Sequence, residues 1–215
     1  MSTDVNAAVR LGALEDLHLD ALREVGNIGA GTAATALSQM IGEPVGMSVP
    51  RVRVLALEEV PDGVGGAESL VAAVHLRVVG DAPGHILFIA PLEVARNLAG
   101  LLLAGMEPGE RDEMGLSELE RSALQELGNV LTSSYLIALT TLTGLHLEPS
   151  PPALGVDMAG ALLGTVLAEV SLSTDVALLI ETAFEEGGRH AAGDFLFIPT
   201  PEALGSVLTR LGVIA

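Results

Sequence analysis

Leu14–Pro50 reads LEDLHLDALREVGNIGAGTAATALSQMIGEPVGMSVP, and Leu116–Pro152 reads LSELERSALQELGNVLTSSYLIALTTLTGLHLEPSPP. Laid over one another at a constant offset of 102 residues, without a gap, they agree at twelve of 37 positions. The matches are Leu14/Leu116, Leu17/Leu119, Ala21/Ala123, Leu22/Leu124, Glu24/Glu126, Gly26/Gly128, Asn27/Asn129, Ala36/Ala138, Leu37/Leu139, Gly42/Gly144, Ser48/Ser150 and Pro50/Pro152. Self-similarity at a fixed offset marks an internal duplication. A second echo, Gly84–Ile89 (GHILFI) with Gly193–Ile198 (GDFLFI), comes at an offset of 109, so the second half carries a net insertion of seven residues. The repeats run over about residues 14–105 and 116–212.

Each repeat opens on a helix. Asp16–Ile41 places Leu17, Leu22, Val25 and Ala36 on one side, and Glu118–Thr143 does so with Leu119, Leu124, Leu127 and Leu139. Gly42 and Gly144 supply the stops. Strands are predicted over Val49–Glu58, Ser69–Val78 and Gly84–Ala90, with turns at Pro61–Gly66 and Gly80–Pro83. A helix runs from Pro91 to about Ala104, and Met106–Gly115 links the repeats. In the second half Asp157 is predicted to cap a helix over Met158–Val170. Strands follow at Ala177–Phe184 and Asp194–Ile198 around a turn-rich Glu185–Gly193, then a helix from Pro201 to Leu211 stopped by Gly212. Consecutive strands without βαβ alternation predict an α+β fold. The expectation is a mainly antiparallel sheet shared by both repeats in a single domain, with the helices packed against it.

Composition removes several functions. The 215 residues carry 10 basic and 28 acidic side chains, a net charge of −18, with every basic residue an arginine and no cysteine. That charge repels phosphate backbones, and no arginine stripe interleaved with aromatics offsets it, so nucleic-acid binding is not expected. Absence of cysteine excludes disulfides, thiolate nucleophiles and zinc fingers, and absence of lysine excludes Schiff-base chemistry. At 49% hydrophobic and 18% charged residues the chain can bury a sizeable core. Met1–Arg10 is too polar for a signal peptide, and no apolar run approaches the ~20 residues of a membrane span. A cytoplasmic protein is expected. Histidines 18, 75, 85, 146 and 190 are scattered, with no spacing suited to a metal site on one element.

The chemistry lies on a polar stripe. Asp20, Glu24, Asn27 and Gly31 stand at i, i+4, i+7 and i+11 of the first helix, and Ser122, Glu126, Asn129 and Ser133 repeat the arrangement on the second. A glutamate and an asparagine on a helix are ordinarily just a solvated face. Here two of only four asparagines in the chain occupy one slot in both repeats, and helix propensity does not favour asparagine. Small residues at 31 and 133, with Gly26 and Gly128, would let a partner's backbone approach closely. Gly26–Thr32 mimics a phosphate-binding loop, but its lysine is missing and it lies within a helix pattern. The second repeat has Leu131, Thr132, Ser133 and Ser134 in place of the small residues after Ile28, as a helix-packing detail allows and a cofactor loop does not.

Asp/Ser, three residues, Glu, two residues, Asn, twenty-two residues, Pro is met by Asp20-Glu24-Asn27-Pro50 and by Ser122-Glu126-Asn129-Pro152. In this the chain resembles the CheC/CheX/FliY family of chemotaxis phosphatases. Two motifs in about 200 residues, with no added flagellar-switch domain, look like its CheC branch. The resemblance implies hydrolysis of the aspartyl phosphate of the response regulator CheY. Glu24 and Glu126 would meet the lysine beside the regulator's phosphoaspartate, and Asn27 and Asn129 would orient the attacking water. Asp20 and Ser122 take supporting roles, and Pro50 and Pro152 structural ones. No cofactor of the chain's own is implied; magnesium would sit in the regulator. The family also binds the receptor deamidase CheD, and Asp157-Met-Ala-Gly-Ala161 matches its contacting helix. The competing reading is an adaptor that sequesters CheD with weak phosphatase activity; a structural part of the flagellar switch is a third.

Overall fold

The structure is a computed structural model that describes residues 14, 16–103, 105–171, 174–186 and 188–214. Met1–Arg10 and Ala104 lie outside the described residues. The first half runs α1 (Asp16–Ile41), β1 (Val45–Ala56), a 3-10 turn (Leu57–Glu59), the one-turn helix α2 (Val60–Gly63), β2 (Leu70–Gly80), β3 (Gly84–Pro91) and α3 (Leu92–Leu102). The second half runs α4 (Glu118–Thr143), β4 (Leu147–Pro149), β5 (Ala153–Met158), α5 (Ala159–Val170), β6 (Val176–Glu186), β7 (Arg189–Pro199) and α6 (Pro201–Arg210).

All strand pairings are antiparallel, and the order is β1-β6-β7-β3-β2-β4, with β5 also on β2. The duplication makes this order a palindrome. β1 corresponds to β4 plus β5 with identical bounds at the 102 offset, β2 to β6, and β3 to β7. Each repeat's first strand pairs with the other repeat's second: Ala56 faces Val176, and Met158 faces Leu70. At the centre Ile86 faces Phe197 and Phe88 faces Phe195. The 109 offset maps these two pairs onto each other and Leu87 onto its own partner, Leu196, so the pseudo-twofold passes through the Leu87/Leu196 pair. The register also places the inserted residues. Leu70 corresponds to Val176, an offset of 106, so four lie in the crossover containing α5 and three in the β6–β7 hairpin.

Helices cover both faces. One core joins α1, α3, α4 and α6 to the sheet through Leu22, Val25, Leu124, Leu127, Phe88 and Phe195. The other joins the opposite face to α2 and α5 through Val60, Leu163, Leu87 and Leu196. β3 is therefore buried on both sides, Ile86, Phe88 and Ala90 facing one core and Leu87 and Ile89 the other, which explains its unbroken apolar run.

The ends of the motif helices are built locally. Ser117 Oγ accepts from the Glu120 amide at 3.1 Å, and a Glu120 carboxylate oxygen accepts from the Ser117 amide at 2.9 Å. Arg111 also binds this buried carboxylate at 2.7 Å, holding Glu120 below the usual carboxylate range. Gly42 and Gly144 close α1 and α4 at φ +80° and +69°.

Several expectations are corrected. Leu17 and Leu119 are exposed and Ala36 only half-buried, because the apolar stripe of α1 instead runs His18, Leu22, Val25, Ala33 and Leu37. β1 begins four residues early, and the turn after it contains α2. β4 and β5 were not anticipated, since Pro149, Pro151 and Pro152 disguise a broken edge strand. Asp157 does not cap α5: it lies in β5 opposite Val71, and Met158 occupies the N-cap. β6 runs to Glu186 and β7 begins at Arg189, so the described part of the turn-rich segment is mostly strand.

Candidate active site

α1 and α4 pack side by side and antiparallel. A Cβ on Gly29 would lie 2.6 Å from a Tyr135 ring carbon, so only glycine permits this approach. Leu22 and Val25 line one small cavity with Tyr135 and Leu139, and Leu37 and Ile41 line another with Leu127. The pseudo-twofold then lies level with Gly31 and Ser133. Glu24 and Glu126, seven residues to either side at 1.5 Å per residue, are separated by roughly 20 Å along the helix axes.

Both stripes face outward. Asp20, Glu24, Asn27 and Gly31 are exposed, as are Ser122 and Glu126, whereas Asn129 and Ser133 are half-buried. Asp20 pairs with Arg23 at 2.9 Å rather than with Glu24. Among the described residues neither the Glu24 nor the Glu126 carboxylate has an intramolecular hydrogen bond or ion pair, so both are available to an external cation. Gly26 and Gly128 do not face a partner. They turn inward against Val49 and Val74, where a Cβ on Gly128 would come within 2.4 Å of a Val74 methyl.

The prolines mark a kink beneath each asparagine. Between Ser48/Ala183 and Arg51/Glu181 the β1–β6 register slips, leaving Val49 and Pro50 together against Thr182. Pro50 has no amide hydrogen to satisfy. The Val49 amide has no ladder partner and donates to Asn27 Oδ1 at 3.0 Å, while Asn27 Nδ2 donates to the Arg23 carbonyl at 3.1 Å. The two bonds assign the same amide orientation. In the second repeat the residue equivalent to Val49 is Pro151, which lacks an amide hydrogen, and Pro152 follows in the break between β4 and β5. Among the described residues the Asn129 side chain makes no hydrogen bond. One asparagine is tethered and the other is free.

None of the main cavities among the described residues is lined by Glu24, Asn27, Glu126 or Asn129. A cavity of about 680 Å³ lies near the C-terminal end of α1, lined by Leu37, Ile41, Leu98, Leu101 and Phe184. It includes none of the motif residues. A raised helix face with unpaired carboxylates suits a macromolecular substrate that brings its own reactive pocket.

A family model described as "CheC-like family" matches residues 17–54 and 119–156, each span a motif helix plus its kinked strand. A Bacillus subtilis protein named CheY-P phosphatase CheC is 35% identical over 93% of this chain and 96% of its own length. The chain belongs to the CheC-like family. A second relative of this family, the flagellar motor switch phosphatase FliY of B. subtilis, is 29% identical over 65% of this chain and 35% of its own. The crystal structure of Thermotoga maritima FliY superposes with a TM-score of 0.75 over 93% of this chain and 98% of that one; at 22% identity it is a likeness of fold.

Sequence reasoning missed one cluster. His75 on β2 and His85 on β3 meet across the hairpin, Nε2 to Nδ1 at 3.0 Å. Burial holds both below the usual histidine value, as does the nearby Arg77. Among the described residues no group of three or more histidine, aspartate or glutamate side chains is placed to hold a metal ion. No helix of the described residues is long and apolar enough to cross a membrane.

Proposed function

We propose that the chain hydrolyses the aspartyl phosphate of a CheY-type response regulator at two sites, one on α1 and one on α4. The observation that carries this reading is the unpaired, outward-facing carboxylate, Glu24 or Glu126, with an asparagine one turn beyond it, present in both repeats. Each glutamate meets the lysine beside the regulator's phosphoaspartate, which docks the helix over the phosphoryl group. The asparagine amide then hydrogen-bonds a water and fixes it in line with phosphorus. An acyl phosphate is already activated, so no nucleophile is required of this chain. The water oxygen bonds to phosphorus as the bond to the aspartyl oxygen breaks. Inorganic phosphate leaves with the water's protons, and the regulator recovers its carboxylate. The regulator's own acidic pocket would hold the magnesium that neutralises the phosphoryl charge.

The test is decay of a phosphorylated CheY-type regulator with wild type and with Asn27→Ala/Asn129→Ala. The double variant should fold and lose the acceleration; full retention would remove the asparagines from the mechanism.

A second reading has its own observation. Met158 and Leu70 face one another across β5 and β2, 54% and 50% exposed, and Asp157 precedes Met158 on the other face of β5. This exposed apolar pair supports CheD as a partner at that edge. Binding of CheD to wild type and to Met158→Glu tests it: unchanged affinity would remove this edge as the contact.

A further inference from the structure

Twelve residue pairs are identical between Leu14–Pro50 and Leu116–Pro152, and position in the fold accounts for most of them. Leu22/Leu124, Gly26/Gly128 and Leu37/Leu139 are buried in both, and Gly42/Gly144 hold positive φ. Within these two segments only two other identical pairs are exposed in both copies: Glu24/Glu126 and Leu17/Leu119. Leu17 is 60% and Leu119 46% exposed. At 100° per residue, Leu17, Asp20, Glu24, Asn27 and Gly31 fall within an arc of about 80°, and the leucine lies within about 20° of the glutamate. It stands two turns, about 10 Å, toward the helix N-terminus. A single exposed leucine needs no explanation. The same leucine in line with the same carboxylate in both repeats is a different observation, because the core gains nothing from either.

We propose that Leu17 and Leu119 are apolar anchors for the phosphorylated regulator, each entering an apolar recess on the partner face whose lysine meets Glu24 or Glu126. The inference rests on the phosphatase reading. Size selects the occupant: a stable protein contact covers about 800 Å² per partner, a patch roughly 30 Å across. Any protein docked on the glutamate therefore also covers a leucine 10 Å away. Met40 and Leu142, exposed at another pair of equivalent positions, lie some 140° around the helix and outside such a footprint.

The test compares wild type, Leu17→Gln/Leu119→Gln and Leu17→Met/Leu119→Met, using a CheY-type regulator charged with beryllofluoride for affinity and its phosphorylated form for kinetics. The glutamine pair should raise Kd and KM at least tenfold with kcat within about twofold; the methionine pair should stay within threefold of wild type. Circular dichroism melts should match, since neither side chain is in the core. Wild-type affinity in the glutamine pair would overturn the anchors while leaving the phosphatase reading intact. So would unchanged affinity accompanied by loss of a dimer in light scattering, which would assign the leucines to a contact between copies. A wild-type chain that neither binds nor dephosphorylates the regulator would bring down the phosphatase reading itself.

Discussion

Asn27→Ala and Asn129→Ala should separate stability from catalysis. In Asn27→Ala the Val49 amide loses its acceptor at a position 2% exposed, where water cannot readily replace it. An orphaned buried donor costs about 1–3 kcal/mol, and the better helix propensity of alanine returns about 0.5 kcal/mol. The net loss is about 1–2 kcal/mol, or about 3–6 °C in Tm for a chain of this size. Asn129→Ala removes no internal bond, so its Tm should stay level or rise by a degree or two. Activity should run the other way. The Asn129 amide meets water with both polar atoms free, whereas Asn27 shares its oxygen with Val49 and its nitrogen with Arg23. Asn129→Ala should therefore remove the larger part of phosphatase turnover. Asn27→Asp supplies a control, keeping an acceptor for Val49 while losing the donor, and should recover most of the lost Tm. Thermal melts and single-turnover dephosphorylation of the three variants decide the matter. Equal Tm losses in Asn27→Ala and Asn129→Ala, or a larger activity loss in Asn27→Ala, would refute the tether argument.

Three more outcomes are expected. Glu24→Gln/Glu126→Gln should raise KM for the phosphorylated regulator at least tenfold and flatten its dependence on ionic strength, because the proposed contact is between opposite charges; an unchanged salt slope would contradict it. Burial and the neighbouring Glu181 push Asp194 up to about 6, with Arg53 opposing. A group raised in the folded state loses its favourable contribution as pH climbs from about 4 through about 6, and at neutral pH the ionised carboxylate destabilises the fold. The shift corresponds to about 3 kcal/mol for a fully buried group and to about 1–2 kcal/mol at its partial exposure, so Asp194→Asn should melt about 3–6 °C higher at pH 7.5 and level with wild type near pH 4. A pH-independent difference would assign the effect elsewhere. Finally, residues 14–105 and 116–212 expressed separately should each fail to show a cooperative melt, because β1 needs β6 and β5 needs β2, and should recover one on mixing; two independent transitions would contradict this.

How far the sequence could be read follows from what each signal encodes. The bounds of the motif helices were legible to the residue, because helical period and glycine stop agree at Asp16–Ile41 and Glu118–Thr143. β3 was legible as a strand from its apolar run, but not as the sheet's centre, since burial on two faces leaves no alternation. β4 and β5 were hidden because proline at 149, 151 and 152 reads as loop, and only the partner strand β2 makes an edge of them. The Glu/Asn stripe was visible from spacing alone. Exposure of Leu17 and Leu119 was not, since a leucine at the edge of an apolar stripe reads as core until the neighbouring layer ends beneath it. The His75/His85 contact was invisible for a related reason: ten residues apart in sequence, they meet only through hairpin register.

The difference between the two asparagines shows how a duplicated site diverges without losing a motif residue. Both repeats need a kink where the strand passes beneath the motif helix, and a kink leaves an amide outside the ladder. The first repeat satisfies that amide with the asparagine of its own motif; the second removes it by placing proline at 151 before Pro152. Asn27 thus carries a structural duty that Asn129 does not. Pro151→Val restores the amide, and if the geometry of the first repeat is then adopted, the second site should slow while the fold becomes no less stable. An unchanged rate would mean that the tether leaves the asparagine as free to hold water as before.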